Sequence, residues 1–211
     1  MDLSDLREQY TLANLSEAAV ADEPMEQFAK WMQEAITAKL PEPNAMTLST
    51  LSADGYPDSR VVLLKEANEE GFVFYTNYNS DKAQQMGLDP KVSLTFLWKD
   101  LQRQVRVLGE ASKEDEAKSE AYFQSRPRGS QLGAWVSPQS DVIPSRDFLE
   151  DRLVALEAQY EGKPIPKPPH WGGYVVAPTA IEFWQGRPSR LHDRIRYTKL
   201  DGRWVIQRIA P

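Results

Sequence analysis

Five short segments between Ala45 and Ser112 carry the apolar patterns of β-strands, and short connections join them. The segments are AMTLSTLSA, SRVVLLKEA, GFVFYTN, KVSLTFLWK and RQVRVLGEAS, with turn signals at Asp54-Gly55, Glu70-Gly71 and Asp89-Pro90. Antiparallel strands can be joined by short turns, whereas parallel strands need long crossovers. The spacing therefore favours an antiparallel sheet or barrel over a doubly wound sheet.

The flanking segments add helices and a second group of strands. Glu23 to Leu40 has the spacing of an amphipathic helix that ends at Pro41, and Ser80 is a candidate N-cap for a short helix in SDKAQQM. Further helices are predicted at 113–125 and 145–160, around the loop SRPRGSQLGAWVSPQS, and KPIPKPP is predicted to be an extended spacer. Four more strands are predicted in GGYVVAP, AIEFWQ, RIRYTKL and WVIQRIA, with a hairpin turn at Asp201-Gly202. We therefore expect one α+β, mainly β, domain with a barrel-like core.

The composition excludes several kinds of site. The 211 residues suit one domain with a small appendage, and the absence of cysteine excludes disulfides, thiolate catalysis and cysteine-bound metal clusters. The two histidines, His170 and His192, lie outside any metal-binding motif, so no metal site is predicted. No apolar run reaches the roughly 20 residues that cross a bilayer, and the N-terminus lacks the pattern of a signal peptide. We expect a cytoplasmic protein with no membrane partner, whose redox chemistry, if any, uses an organic cofactor.

Charge is unevenly distributed along the chain. The net charge of -6 argues against a nucleic-acid partner. Residues 1–30 carry seven acidic and two basic side chains, whereas residues 184–208 carry seven basic and two acidic ones. The basic stretch suits either a small-anion site or the exposed face of a strand, and composition leaves both interpretations open.

No glycine-rich phosphate-binding loop is present, so phosphate must be held by side chains. Four stretches offer suitable groups: SRVVLLK, NSDKA, SRPRGSQ and SRLHDR. Arg60 and Lys65 would point to opposite faces of a regular strand unless a bulge intervenes, and strand ends in solvent are the default interpretation for that stretch alone. In SRPRGSQ, Arg126, Arg128 and Ser130 suit an oxyanion clamp at a loop-helix junction, with surface charge as an equal alternative.

His192 stands among charged neighbours near the C-terminus. On a strand, Arg190, His192 and Arg194 would share one face, and three cation-capable groups there are tolerable if an anion or an electron-rich ring lies among them. Phe183 and Trp184 could pack on a planar ligand, although core packing is the commoner use of such residues.

The order and spacing of RVVLLK, FYTNYNSDKA, RQVRVLG, YFQSRPRGSQLGAWVSPQS, WGGY, IEFWQGRPSRLHDR and the C-terminal IAP closely resemble the pyridoxine/pyridoxamine 5'-phosphate oxidase family, from about Leu6 to Pro211. The resemblance implies an FMN-binding split β-barrel with flanking helices, forming a homodimer with FMN in clefts at the subunit interface. It also implies an enzyme that oxidises pyridoxine or pyridoxamine 5'-phosphate to pyridoxal 5'-phosphate, with O2 as acceptor and H2O2 as product, in vitamin B6 biosynthesis and salvage.

Site residues follow from the resemblance by matching position. The implied FMN contacts are Arg60, Val61, Val62, Leu63, Leu64, Lys65, Tyr75, Thr76, Lys82, Gln104, Gln139, Ser140, Trp184 and Arg194. Among them, Arg60 and Lys82 are our choice for the FMN phosphate, because fixed positive charges suit a dianion. The implied substrate contacts are Lys65, Tyr122, Arg126 and Ser130 at the phosphate, Arg190 and His192 beside the ring as the catalytic pair, and Arg7 and Tyr10 in an N-terminal segment.

The resemblance divides the chain into an N-terminal segment, residues 1–22, able to fold over the substrate as a lid, and one barrel domain, residues 23–211. One position departs from the family pattern, since Asp81 stands where a second basic residue is usual. Either Asp81 points away from the phosphate or FMN binds more weakly than is usual. Whether His192 accepts a proton or only orients the substrate stays open, as do two other functions: a split-barrel flavoenzyme for another substrate, and a non-catalytic FMN or pyridoxal phosphate binder.

Overall fold

The computed structural model describes residues 1–6 and 8–211, and Arg7 lies outside them. Nine antiparallel strands form one curled sheet in the order β2-β1-β5-β6-β7-β4-β3, to which β8 and β9 are added through β7. The strands are β1 Ala45–Leu51, β2 Pro57–Leu63, β3 Glu66–Asn68, β4 Gly71–Asn77, β5 Lys91–Trp98, β6 Arg103–Lys113, β7 Trp171–Gln185, β8 Asp193–Leu200 and β9 Arg203–Arg208. The expected split barrel, mainly β with flanking helices, is confirmed.

Strand β7 organises the sheet. Its 15 residues pair with β6 along one edge, while the other edge pairs first with β4 and then with β8. GGYVVAP and AIEFWQ therefore form one strand, and the prediction of two separate strands is wrong. The break expected near Pro178 does not occur, because the register with β6 shifts at Leu108 and Gly109 and absorbs the irregularity.

Five helices flank the sheet. They are α1 Pro24–Thr37, α2 Asp81–Leu88, α3 Glu116–Ser125, α4 Arg128–Val136 and α5 Asp147–Gln159. Helix α1 closes the barrel core with Phe28, Trp31 and Ala35, which recur on one face and are buried. Phe28 meets Phe72 edge-on at 4.9 Å between ring centroids, and Trp31 meets Phe183 at 5.2 Å.

Two further segments differ from the sequence prediction. SRPRGSQLGAWVSPQS contains helix α4 rather than an uninterrupted loop. KPIPKPP is extended, but Ile165 within it is buried in a small core with Phe123, Leu132 and Trp171, so the segment is more than a spacer. Ser80 precedes α2 as predicted, although its hydroxyl donates to the Asn77 carbonyl instead of capping the helix.

The predicted strand SRVVLLKEA is broken between β2 and β3. The Leu64 N–H donates to the Asn44 carbonyl, and the next N–H, that of Lys65, donates to Val73 in β4. The chain thus leaves its pairing with β1 and joins β4 within two residues. This break removes the strict alternation that would place Arg60 and Lys65 on opposite faces.

Part of the N-terminal segment packs against strands β8 and β9. Leu15 is buried, the Tyr197 hydroxyl donates to the Ala21 carbonyl at 2.6 Å, and Arg208 of β9 pairs with Glu17 at 2.8 Å. The acidic N-terminus and the basic C-terminal strands therefore complement each other in part. None of the helices in the described residues is both long and apolar enough to cross a bilayer.

Candidate functional site

A cleft of about 800 Å³, here called the cationic cleft, opens beside the break between β2 and β3. The basic side chains that line it are Arg60, Lys65, Lys82 and Arg126. They come from β2, the β2–β3 connection, α2 and the α3–α4 connection, so four segments separated in sequence converge here. Such convergence of cations with no glycine-rich loop is suited to an anionic ligand held by side chains.

Arg60 and Lys82 form a positive corner of this cleft. The Lys82 side chain is buried, its Nζ donates to Ser80 Oγ at 3.3 Å, and it forms no ion pair with a carboxylate among the described residues. Burial lowers the pKa of Lys82, and the nearby Arg60 charge lowers it further, with Asp81 and Asp58 opposing. Arg60 is paired with Asp58 and hydrogen-bonded to Gln85 at 3.1 Å. A bound dianion would offset the unbalanced charge of this corner.

Asp81 does not line the cationic cleft. It is exposed at the first position of α2, and its N–H donates to Ser140 Oγ at 3.2 Å. The carboxylate is favourable at a helix N-terminus. Asp81 is therefore outside the lining of the cationic cleft, although its charge still raises the pKa of Lys82.

A stack of three aromatic rings forms another wall of the cationic cleft. Tyr75 lies 4.0 Å from Tyr122 and 5.4 Å from Trp171 between ring centroids, with the rings nearly parallel. The Arg126 guanidinium lies over Trp171 at 4.6 Å, and its buried Nη1 has no hydrogen-bond partner among the described residues. Burial lowers the pKa of Arg126, and the interaction with Tyr122 opposes this effect only in part. An arginine donor without an acceptor indicates a site for an oxyanion.

The loop after α4 carries polar groups to the rim of the cleft. Gln139 Oε1 accepts from the Thr76 hydroxyl at 3.1 Å and from the Asn77 N–H at 3.4 Å. Ser140 has a left-handed backbone, with a φ of 77°. A non-glycine residue in that conformation is strained, and such strain is concentrated at functional sites.

A second group of predicted residues lies around the other end of β7. His192, Arg190 and Tyr10 line a cleft of about 330 Å³, here called the N-terminal cleft. The His192 ring lies 4.6 Å from Trp184 and 5.8 Å from Tyr10 between centroids. Arg190 and the preceding Ser189 both have left-handed backbones, with φ of 61° and 57°. Two consecutive strained residues therefore present Arg190 at this cleft.

The shared face predicted for Arg190, His192 and Arg194 is wrong. Arg190 lies in a 3-10 turn, Pro188–Arg190, and β8 begins only at Asp193. Arg194 points to Glu182 instead, with Nε to Oε1 at 2.8 Å, and also donates to the Ala210 carbonyl. Arg194 is therefore separated from the other two, whereas Arg190 and His192 remain in one cleft, where the Arg190 charge lowers the pKa of His192.

His192 is held by the backbone. The Arg187 N–H donates to His192 Nδ1 at 3.0 Å, and the Arg187 side chain pairs with Asp193 at 3.2 Å. Asp193 also accepts from Arg208 at 2.7 Å and from the Leu15 N–H at 3.0 Å. Burial and the Arg190 charge lower the pKa of His192.

Gln104 and Trp184 line a third cleft of about 270 Å³, next to the N-terminal cleft, and Tyr10 belongs to both. The two residues are paired across β6 and β7. By contrast, none of the residues lining the cationic cleft lines either of these two clefts. Trp171 marks the cationic end of β7 and Trp184 the other end, 13 residues away, which corresponds to roughly 40 Å of strand.

The predicted site residues therefore fall into two groups within one chain. The cationic cleft collects Arg60, Val61, Val62, Leu63, Lys65, Tyr75, Thr76, Lys82, Tyr122, Arg126, Ser130 and Gln139. The far end of β7 collects Tyr10, Gln104, Trp184, Arg190 and His192, with Arg194 nearby on β8. Leu64 is buried and does not line the cleft, Ser140 lies at its edge, and Arg7 falls outside the described residues.

Trp171 and Glu182 are absent from the predicted site residues, but both make several contacts near the sites. Trp171 forms the base of the aromatic wall and lies under Arg126, and its signal was the WGGY motif directly after the proline-rich segment. Glu182 is buried among Arg106, Arg194 and Arg196, and its signal was one acidic residue within the apolar run AIEFWQ. Burial raises the pKa of Glu182, but the arginine contacts outweigh it and leave the pKa lowered.

Two family models together match most of the chain. The model described as pyridoxamine 5'-phosphate oxidase matches residues 32–160, and that described as the pyridoxine 5'-phosphate oxidase C-terminal dimerisation region matches residues 171–211. Similar proteins named pyridoxine/pyridoxamine 5'-phosphate oxidase occur in Synechocystis sp. and in Acaryochloris marina. The first is 61% identical over 100% of this chain and 99% of the relative, the second 54% identical over 99% and 95%.

Solved structures have the same architecture. PhzG from Burkholderia lata 383, in complex with tetrahydrophenazine-1-carboxylic acid, has a TM-score of 0.90 and 26% identity over 97% of this chain and 100% of that one. A pyridoxamine 5'-phosphate oxidase-related, FMN binding protein from Nostoc punctiforme has a TM-score of 0.70 at 18% identity, over 87% of this chain and 97% of that one. The second likeness shows the fold alone.

Proposed function

The chain belongs to the pyridoxine/pyridoxamine 5'-phosphate oxidase family, and we propose from that premise that it binds FMN and works through sites shared between two subunits. It is an oxidase of pyridoxine 5'-phosphate and pyridoxamine 5'-phosphate, and it forms a homodimer through its C-terminal region. The product is pyridoxal 5'-phosphate, with O2 as acceptor and H2O2 as second product. The observation that carries the site assignment is the buried Lys82 ammonium, which has no carboxylate partner among the described residues and lies in the same cleft as the aromatic wall.

The residues of the cationic cleft fit FMN. Lys82 and Arg60 would hold the FMN phosphate, because within the described part of the chain the buried Lys82 ammonium has a hydroxyl but no carboxylate partner. Thr76 and Gln139 would contact polar groups of FMN other than its phosphate, and the backbone from Val61 to Lys65 would line the flavin. FMN, when bound, supplies the acceptor for the hydride that leaves the substrate carbon.

The substrate phosphate would lie beside FMN in the same cleft. Arg126 provides a buried Nη1 donor without a hydrogen-bond partner among the described residues, and Ser130 lines the cleft from the first turn of α4, where the helix dipole favours anions. Lys65 and Tyr122 complete the group. This grip acts at a distance from the reacting carbon, so its binding energy aligns the substrate over the flavin.

The second subunit would complete the site. Arg190 and His192 are needed beside the substrate ring, and Gln104, Trp184 and Arg194 at the flavin, but all five belong to the end of β7 remote from the cationic cleft. A two-fold homodimer brings such halves together twice, because a contact between the cationic cleft of one subunit and the β7 end of its partner is repeated with the two subunits exchanged. Exposed Val61 and Leu63 beside the cleft supply apolar surface for that contact.

The N-terminal segment would act as a lid over the substrate ring. Tyr10 packs against both His192 and Trp184, and the segment is attached through Leu15 and Glu17. Its closure would exclude water from the reacting carbon. This assigns residues 1–22 a role separate from the barrel domain, residues 23–211.

An absorption spectrum of the purified protein tests the proposal. We expect a flavin band that bleaches without oxygen on addition of pyridoxine 5'-phosphate and returns when air is admitted. Pyridoxine without its phosphate is the matched control and should bleach the band far more slowly. A flavin band indifferent to the phosphorylated substrate would refute the reaction, and failure to bind added FMN would refute the assignment of the cleft.

A further inference from the structure

His192 is one of only two histidines in the chain, and its hydrogen bond settles which ring nitrogen can carry a proton. A backbone N–H can only donate, so Nδ1 must offer its lone pair to Arg187. In a neutral imidazole the proton then resides on Nε2. The His192 Nε2 has no hydrogen-bond partner among the described residues, which leaves its N–H available to a ligand in the N-terminal cleft.

We propose that the backbone N–H of Arg187, held by the Arg187–Asp193 ion pair, fixes His192 as the neutral tautomer with its proton on Nε2. His192 is then a hydrogen-bond donor to the substrate and does not accept the proton that the substrate's oxygen or nitrogen loses. Arg187 and Asp193 are positioning residues, since they act through the imidazole. The consequence for the reaction rests on the proposed function, whereas the tautomer does not.

The surroundings of the ring oppose a positive charge on it. To become an imidazolium, His192 would need a proton on Nδ1, where it would face the Arg187 N–H at 3.0 Å and lose that hydrogen bond. The Arg190 guanidinium adds repulsion, and the ring is partly buried between Trp184 and Tyr10. Glu8 and Arg187 line the same cleft, and neither is within ion-pair distance of the ring among the described contacts.

The ion pair explains why the N–H stays in place. Arg187 lies between β7 and a strained turn, Ser189 and Arg190, which is closed by the hydrogen bond from the Leu191 N–H to the Pro188 carbonyl at 3.1 Å. Its guanidinium is anchored by Asp193, the first residue of β8, which Arg208 and the Leu15 N–H hold in turn. The turn is thereby tied at both ends, and the imidazole between them has one orientation.

Nitrogen spectroscopy tests the tautomer without any substrate. In protein labelled with 15N-histidine, long-range 1H–15N correlations report which nitrogen of each ring is protonated, and His192→Gln identifies the signals by their loss. We expect His192 to show a bare Nδ1 and a protonated Nε2, unchanged as the pH falls through 6.5, the ordinary pKa of histidine. A protonated Nδ1 or an imidazolium near neutral pH would overturn the proposal.

Positioning is tested by two matched variants. Arg187→Met keeps the backbone N–H but removes the anchor, and we expect its His192 signals to average between two tautomers. Arg196→Met removes an arginine of β8 that pairs with Glu182 and leaves both Arg187 and Asp193 in place, so we expect the single tautomer to persist. Equal averaging in both variants, or none in Arg187→Met, would remove Arg187 from this role.

The catalytic consequence is tested by replacing His192 itself. The His192→Gln amide can place an N–H near the position of Nε2 but has no basic nitrogen, whereas His192→Leu has neither. We expect the Gln variant to retain a kcat roughly tenfold or more above that of the Leu variant, as loss of one donor to a polar substrate implies. A Gln variant as slow as the Leu variant would support His192 as proton acceptor. Absence of oxidation by the unaltered enzyme would instead refute the proposed function and leave the tautomer standing.

Discussion

Two inactive variants of this chain should restore activity when their subunits mix. Arg126→Ala removes the unpartnered guanidinium of the cationic cleft, and Arg190→Ala removes the arginine at the far end of β7. In a mixed dimer, one site receives an intact Arg126 from one subunit and an intact Arg190 from the other. The second site carries both defects.

The expected recovery follows from the arrangement of the two groups. Arg126 and Arg190 line separate clefts with no lining residue in common, so we expect the two halves of one site to come from different subunits. Random association of equal amounts gives one half mixed dimers, each with one intact site, so total activity should be about one quarter of the unaltered enzyme. Mixed dimers isolated with two affinity tags should reach about one half.

The assay is turnover of pyridoxine 5'-phosphate after co-expression, compared with each variant alone. Lys65→Ala mixed with Arg126→Ala is the matched control, because both residues line the same cleft and no mixed dimer then contains an intact site. Bound FMN should remain in Arg190→Ala, since the cationic cleft is untouched. Activity of the Arg126/Arg190 mixture no greater than that of its components would refute the shared site.

Three further results are expected. Lys82→Met should weaken FMN binding by roughly tenfold or more in a fluorescence titration while leaving the melting temperature unchanged or raised, because a buried ammonium without a carboxylate partner destabilises the fold. Unchanged FMN affinity would contradict the phosphate assignment. Gly186→Ala would place a Cβ 2.7 Å from the Tyr10 ring, so it should displace the lid and raise KM with FMN affinity unaltered; a normal KM would argue against a lid. The Arg208 hydrogen bonds lower the pKa of Glu17 from 4.5 to about 2, so this attachment stabilises the docked segment above pH 4.5 and is lost as the pH falls from 4.5 towards 2. An NMR titration should find that pKa, and an ordinary value would show that the contact does not form in solution.

Local sequence patterns predicted much of the fold, and their failures have physical reasons. Apolar periodicity located α1 and most strands, because alternation and helical spacing are local properties of the chain. It could not locate the break at Leu64, because that residue's N–H pairs with Asn44 while the next pairs with Val73. Nor could it join two apolar runs into β7, since the continuity depends on pairing with β6, more than 60 residues earlier.

For the candidate site too, some features could be predicted from the sequence and others could not. Motif order identified the residue types and the family, and the density of arginine near the C-terminus indicated an anion or a charged surface. The strand assumption for Arg190 and His192 was wrong, because a turn with two left-handed residues intervenes, and serine and arginine give little local signal for that conformation.

By itself, the sequence determined the antiparallel character of the sheet, the lack of cysteine chemistry, the absence of a glycine-rich phosphate-binding loop and the family. Only the tertiary structure decided that Arg60 and Lys65 share one cleft, that the predicted residues separate into two groups, and that His192 meets a backbone N–H. Residue types and their periodicity are local properties of the chain, so they can be recognised without knowing the fold. The direction of a hydrogen bond or the separation of two clefts depends on how distant segments pair, and it exists only once the sheet has formed.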